Sequence, residues 1–226
     1  REVGLGQVRG NFTDAQANVW DSSMLTENFA RSGSSYFLTG VVYTDSNGNG
    51  FYSIGEAVSG TVVTSSIAGS TASAMAGGYV IPVANGNHRV TLGTAQVDLQ
   101  VAGENVKVDL IGGNQVASST SLALVSGVQR ATLLGVANLS LTGVSAAETL
   151  VGNKGNNTIN GGAGNDTLIG GAGNDSIEGG EGSDTAVFTG ALSGYLVSYD
   201  EITSSFSIAA AGAGTDVIFG VEFFQF

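Results

Sequence analysis

The residues most able to do chemistry in this chain are carboxylates and asparagines set among glycines, and they occur in two stretches. In the C-terminal half a nine-residue register runs through five units: GVSAAETLV from Gly143, GNKGNNTIN from Gly152, GGAGNDTLI from Gly161, GGAGNDSIE from Gly170 and GGEGSDTAV from Gly179. The last three fit G-G-x-G-x-D-x-U-x, where U is apolar, with Ala186 the weakest apolar residue. Gly162, Gly164, Gly171, Gly173, Gly180 and Gly182 permit the positive-φ turns that reverse the chain after a very short strand and gather carbonyls round an ion. Asp166, Asp175 and Asp184 supply the charge, with neutral Asn157 at the same place one unit upstream and Glu148 in a unit that lacks the glycines.

The second stretch, residues 45–56, reads DSNGNGFYSIGE and matches D-x-[DN]-x-[DN]-G-x5-E at every specified place. That spacing would put the side chains of Asp45, Asn47 and Asn49, the Phe51 carbonyl and a bidentate Glu56 round one ion. Ser53 would act directly or through water, and Gly50 would allow the sharp bend. Six or seven oxygens in such a set favour calcium. The flanks YFLTGVVYT and SGTVVTSSI are β-branched and alternating, so the loop joins two strands rather than two helices.

Composition narrows the chemistry further. The chain has no cysteine and a single histidine, His88, so disulfides, thiolate sites and multi-histidine metal centres are excluded, and oxygen ligands remain. With 19 acidic and 7 basic residues the net charge is -12, which disfavours nucleic acid and acidic lipid and favours a cation. No apolar run approaches the ~18 residues of a membrane span, so membrane insertion is not expected. There is no G-x-S-x-G, no H-E-x-x-H, no histidine partner for a serine, and no G-K-[ST] after the glycine loops. The adjacent acids Asp200 and Glu201 are the weaker alternative for hydrolysis, and the expectation is a protein that is not an enzyme.

The elements that must position these residues are strands. Place eight of the repeat lines up Leu150, Ile159, Leu168 and Ile177 as an inward ladder, preceded by Leu141, whereas Thr149, Thr158, Thr167, Ser176 and Thr185 face outward. Apolar content of 42% suffices for a core, although only 12% of residues are charged against about 25% in an ordinary domain. The expected fold class is all-β: an antiparallel β-sandwich followed by a parallel β-roll with antiparallel capping strands. Its expected divisions are 1–36 as N-terminal strands, either the remnant of another domain or a strand-exchange segment, 37–112 as the sandwich with its calcium loop, and 113–226 as the roll with its cap. TAVFTGALSGYLVSYD, SSFSIAAAGAGTD and VIFGVEFFQF are expected to be the antiparallel cap. His88, in an NGNH sequence, is expected in a loop, and Trp20 in core or loop packing.

The nonapeptides resemble the RTX (hemolysin-type) repeats of secreted bacterial proteins. That resemblance implies a parallel β-roll with calcium in the turns, two nonapeptides to a coil, Asp166 stacked with Asp184, and Asn157 with Asp175. Residues 37–111 are similar to the prealbumin-like B-type domains of bacterial surface proteins, in which a D-x-N-x-N-G loop binds calcium. The segments Arg1–Gly6 and Thr26–Ala30 resemble the last strands of a bacterial CAP (SCP-like) domain, whose cleft residues would lie before Arg1. Together these imply about three to four calcium ions and an extracellular or cell-surface location. The expected function is a calcium-stabilised structural subunit of a matrix, surface layer or filament, self-associating by strand addition. The alternative is the calcium-dependent folding and type I secretion tail of a larger CAP-family effector.

Overall fold

The computed structural model describes residues 5–13, 19–27, 36–210 and 214–226, the first two segments by backbone alone. These two are the strands β1 (Leu5–Thr13) and β2 (Val19–Glu27), an antiparallel pair with Leu5 opposite Glu27 and Thr13 opposite Val19. The CAP-like segments Arg1–Gly6 and Thr26–Ala30 fall partly outside the described residues, and the side chain of Trp20 falls wholly outside them.

The next group comprises β3 (Tyr36–Tyr43), β4 (Val62–Ser65), β5 (Gly69–Ala72), β6 (Gly78–Val83), β7 (Gly86–Leu92), β8 (Ala95–Val101) and β9 (Val106–Ile111). Alternation decides which side of each strand is buried: in β8, Ala95, Val97, Leu99 and Val101 are buried while the residues between them are partly or fully exposed. The repeat region follows as β10 (Gln115–Ser118), β11 (Leu122–Ser126), β12 (Arg130–Leu133), β13 (Ser140–Thr142), β14 (Thr149–Val151), β15 (Thr158–Gly164), β16 (Thr167–Ile169), β17 (Ser176–Gly182) and β18 (Thr185–Val187). The chain ends with β19 (Tyr195–Asp200), β20 (Ser205–Ala210), β21 (Gly214–Phe219) and β22 (Phe223–Gln225).

Two long sheets organise these strands. One runs β22-β18-β16-β14-β12-β10-β9-β3-β6, the other β19-β20-β21-β17-β15-β13-β11-β8-β7-β4-β5. From β12 to β18 the strands alternate between the sheets, so that each coil contributes one strand to each. Both sheets continue without a break from the parallel coils into the earlier strands, and both change polarity at the same level. There, β10 pairs parallel with β12 but antiparallel with β9, and β11 pairs parallel with β13 but antiparallel with β8. The earlier strands are antiparallel neighbours apart from β3 with β9, which pair parallel.

The apolar ladders of the coils are in register. Ala131, Leu150, Leu168 and Ala186 stack in one sheet, and Leu122, Leu141, Ile159 and Ile177 in the other. All are buried, and both ladders belong to one cluster with the core of the preceding strands.

Two expectations need correction. The C-terminal strands are not all an antiparallel cap: β19, β20 and β21 pair antiparallel, but β21 also pairs parallel with β17, and β22 pairs parallel with β18. They extend both stacks because Ile218 and Phe224 fall opposite Ile177 and Ala186. His88 is not in a loop. It lies in β7 in phase with Val90 and Leu92, is only 2% exposed, and its ring nitrogens bond Ser65 Oγ at 2.8 Å and the Ala84 carbonyl at 2.9 Å.

Leu168 is fully buried and Ile202 is 96% exposed. In calcium, Leu168→Ala should lower stability in urea denaturation by about 2–5 kcal/mol, whereas Ile202→Ala should stay within ~0.5 kcal/mol. Equal losses would contradict the inward ladder.

Candidate metal centre

At place six of each repeat the chain leaves a turn and enters the next strand, and a hydrogen bond ties each such residue to its counterpart one coil on. The Glu148 N–H donates to Asp166 Oδ1 (2.8 Å), the Asp166 N–H to Asp184 Oδ1 (2.8 Å) and the Asn157 N–H to Asp175 Oδ1 (2.7 Å), each across 18 residues. Asp166 is thereby brought to Asp184 on one edge of the roll and Asn157 to Asp175 on the other. Two carboxylates that sequence reasoning missed prolong these files. The Asp175 N–H donates to Asp216 Oδ1 (2.9 Å), and the Asp184 N–H to Glu222 Oε2 (2.7 Å). The available signal was the spacing of Gly214, Asp216 and Ile218, which are related as places four, six and eight.

The ladder bond engages one carboxylate oxygen. Glu148 Oε1, Asp166 Oδ2, Asp175 Oδ2 and Asp184 Oδ2 are buried, and no donor among the described residues reaches them. Buried charged oxygens left in this way are costly unless something of opposite charge meets them. The space beside them is lined by glycine backbone. A Cβ on Gly161, Gly170 or Gly179 would lie under 3.0 Å from Asp166 Oδ2, Asp175 Oδ2 or Asp184 Oδ2 respectively. At Gly161 and Gly179 it would also meet a carbonyl of the next coil, that of Gly179 or Gly220.

The turn that begins at Gly170 shows why glycine recurs. Gly171 and Gly173 hold φ of +101° and +118°, and a side chain on either would collide with the carbonyl of Asn153 or Gly155. Gly162, Gly164, Gly180 and Gly182 take the corresponding places in the neighbouring turns. Each turn therefore brings one carboxylate together with backbone carbonyls, an all-oxygen set that suits a hard cation such as calcium. No three of the described His, Asp and Glu residues converge on one point.

The turn at Asn157 differs. Its Oδ1 accepts the Asn153 N–H (2.8 Å), and its Nδ2 donates to Asn153 Oδ1 (3.0 Å) and the Leu139 carbonyl (3.5 Å). A neutral amide here leaves no carboxylate charge for a cation to meet.

Burial acts on the charged turns. It pushes the Asp166 carboxyl up to about 6, with Glu148 and Asp184 adding to the effect and the Glu148 N–H opposing it. It pushes Asp216 up to about 6, aided by Asp175 and opposed by the Asp175 N–H. Glu148 and Asp175 are raised for the same first reason.

The loop at 45–56 joins β3 to β4 and closes on itself. Glu56, buried, accepts the N–H groups of Ser46 (3.0 Å), Asn47 (3.3 Å) and Ser53 (2.7 Å). Asp45 accepts those of Asn49 (3.1 Å) and Gly50 (2.9 Å), and Asn49 Oδ1 accepts that of Phe51 (2.8 Å). Asn47 and Asn49 both donate to Ser53 Oγ, at 3.0 and 3.1 Å. The side chains of Asp45, Asn47, Asn49, Ser53 and Glu56 thus form one network, whereas the Phe51 side chain is exposed and contributes nothing to it. The field at the loop is negative: the Tyr43 hydroxyl is pushed up to about 12, by burial first and then by Asp109, Asp45 and Glu56. Unlike the roll, the loop leaves no buried carboxylate oxygen without a donor.

Fold and site together define a parallel β-roll with oxygen-lined turns at its edges. Residues 142–177 and 151–186 match the family model of the RTX calcium-binding nonapeptide repeat, four copies in length. The C-terminal half of the chain therefore carries RTX repeats, and they are calcium-binding. A comparison with curated proteins gave no match.

The pKa shifts carry a sign. A carboxyl near 3.8 in the unfolded chain and about 6 in the fold adds stability that is fully present below the first value and is lost as pH rises through the second. In chelator, acidification from pH 7 to pH 5 should therefore favour the folded roll and raise the strand signal followed by circular dichroism. In excess calcium, protons compete with the ion and the same change should lower it. A strand signal in chelator that falls on acidification would contradict the burial of these carboxyls.

Proposed function

We propose that this chain is a secreted, non-enzymatic structural protein whose β-roll is completed by calcium, and that it serves as a subunit of an extracellular matrix, surface layer or filament. The observation that carries this reading is the set of buried carboxylate oxygens without donors, those of Glu148, Asp166 and Asp184 at one-coil intervals along one edge of the roll and that of Asp175 on the other. An ion held at about 100 times its Kd adds ~2.7 kcal/mol, so three or four ions give ~8–11 kcal/mol, comparable to the ~5–15 kcal/mol of a whole domain. Calcium is scarce in cytosol and abundant outside cells, so the roll folds after export. The loop of Asp45, Asn47, Asn49, Phe51, Ser53 and Glu56 is proposed as a further site, with Asn157 as a neutral rung of the roll.

Self-association is proposed to proceed by strand addition at sheet ends. β19 ends the eleven-stranded sheet with Leu196 80%, Tyr199 52% and Val197 47% exposed. An exposed apolar edge of this kind templates pairing with another chain. Head-to-tail contacts propagate unless the rotation closes.

A second reading, the folding and type I secretion tail of a larger protein, is favoured by the unbroken passage of both sheets from the roll into residues 36–111. Order induced by calcium at the C-terminal end then templates the strands before it.

Calcium titration followed by circular dichroism should show a cooperative gain of strand signal, reversed by chelator; identical strand content in chelator would overturn the calcium-driven fold. Asp175→Ala should weaken calcium binding in the roll and leave the 45–56 loop intact. Electron microscopy in millimolar calcium should show filaments or sheets that chelator disperses, whereas single particles in calcium would favour the second reading.

A further inference from the structure

Three contacts recur from coil to coil in the roll, and together they define what a rung is. The first is the place-six ladder bond described above. The second runs from the N–H at place seven to the place-six carbonyl one coil back: Thr167 to Glu148 (2.8 Å), Ser176 to Asn157 (2.9 Å) and Thr185 to Asp166 (2.8 Å). The third runs from the N–H at place five to an asparagine side chain one coil back: Asn156 to Asn138 (2.8 Å), Asn174 to Asn156 (2.9 Å) and Ser183 to Asn165 (3.0 Å).

Residues well beyond the last nonapeptide reproduce all three on one edge and the first two on the other. On one edge Asp216 accepts the Asp175 N–H, Val217 N–H donates to the Asp175 carbonyl (2.8 Å) and Thr215 N–H to Asn174 Oδ1 (2.8 Å). Gly214 takes the place-four conformation, with φ of +112° against +118° at Gly173, and Ile218 continues the buried ladder. On the other edge Glu222 accepts the Asp184 N–H and Phe223 N–H donates to the Asp184 carbonyl (3.0 Å). There the Gly220 carbonyl faces the same glycine cradle, at Gly179, as Asp184 Oδ2.

We propose that Asp216, and on the opposite edge Gly220 with Glu222, complete two terminal calcium sites, in which the ion joins Asp175 or Asp184 to a rung 41 or 38 residues further along the chain. The unpartnered, buried Asp175 Oδ2 and Asp184 Oδ2 are the oxygens that these ions meet. Within the nonapeptides an ion bridges coils already joined by a short turn. At these two sites it closes the excursion that includes β19 and β20, and so fastens the C-terminal strands β21 and β22 to the roll. This rests on calcium occupying the turns of the roll.

The test is isothermal titration of the full chain with calcium, comparing wild type with Asp216→Asn and Glu222→Gln. Asparagine keeps the acceptor of the ladder bond and already stands at place six in Asn157, so Asp216→Asn preserves the rung. Each variant should bind one ion fewer, or bind it at least tenfold more weakly. Hydrogen exchange on the wild type supplies a readout without substitution: the amides of Val217, Ile218 and Phe223 should gain protection only when calcium is added. Unchanged stoichiometry and affinity in both variants, with Asp166→Asn losing an ion, would overturn the terminal sites while leaving the calcium roll standing. A wild type that binds no calcium would overturn both, and so would protection of β21 and β22 in chelator equal to that in calcium overturn the latch.

Discussion

A carboxylate has two oxygens, and the coil-to-coil ladder of this roll uses one of them. Everything at the edges of the roll follows from the other. Successive place-six acids lie one coil apart on the same edge, at the ~4.8 Å separation of neighbouring strands, with their second oxygens buried. Like charges at that spacing in a poorly hydrated turn cannot all stay ionised without a counter-charge. Protons meet the demand at low pH and a divalent cation meets it at neutral pH. The glycines answer the same constraint from the backbone side, because the space beside the acids must stay clear of side chains while carbonyls line it.

This dependence is unevenly distributed. The strands from β3 to β9 bury large side chains from both sheets, among them Leu38, Val63, Val90, Leu92 and Val108, and their cohesion is hydrophobic. A coil of the roll buries one place-eight side chain per sheet, such as Leu168 and Ile177, and so little apolar area per coil leaves the turns to decide whether the coil is ordered. The two regimes share continuous sheets, so the hydrophobic part offers paired edges at β8 and β9 onto which the first rungs are laid. The coils therefore depend on their turns more than the strands from β3 to β9 do.

Sequence legibility followed repetition. The nonapeptides announced their own turns, ladder and stacking partners, because Asp166, Asp175 and Asp184 recur at a fixed interval with an apolar residue two places on. Asp216 and Glu222 were hidden because β19 and β20 intervene and break the period, so a search by spacing loses the register although the backbone recovers it. His88 misled for a different reason: the NGN before it resembles a turn, yet the alternation His88, Val90, Leu92 marks it as inward-facing, and its two ring nitrogens find partners in Ser65 and Ala84. The continuity of the sheets past residue 112 was not legible at all, since pairing of β9 with β10 and β8 with β11 depends on long-range register rather than on composition.

The two files of the roll also begin differently from the way they end. Nearest the hydrophobic strands, Asn157 and Glu148 each turn an oxygen back onto an N–H of their own turn, that of Asn153 at 2.8 Å and Val144 at 3.2 Å. Asn157 goes further and satisfies neighbouring carbonyls with its own amide hydrogens. At the first turn of its file, then, hydrogen bonds replace what the later turns leave to a cation, and that turn can form against a preformed sheet before any ion arrives. Further along, Asp166, Asp175 and Asp184 lack this self-sufficiency, and each rung presents its unpartnered oxygen to the rung that follows. Such an arrangement gives the file that Asn157 begins a direction: a neutral start seeded by packing, then charged rungs whose order depends on calcium.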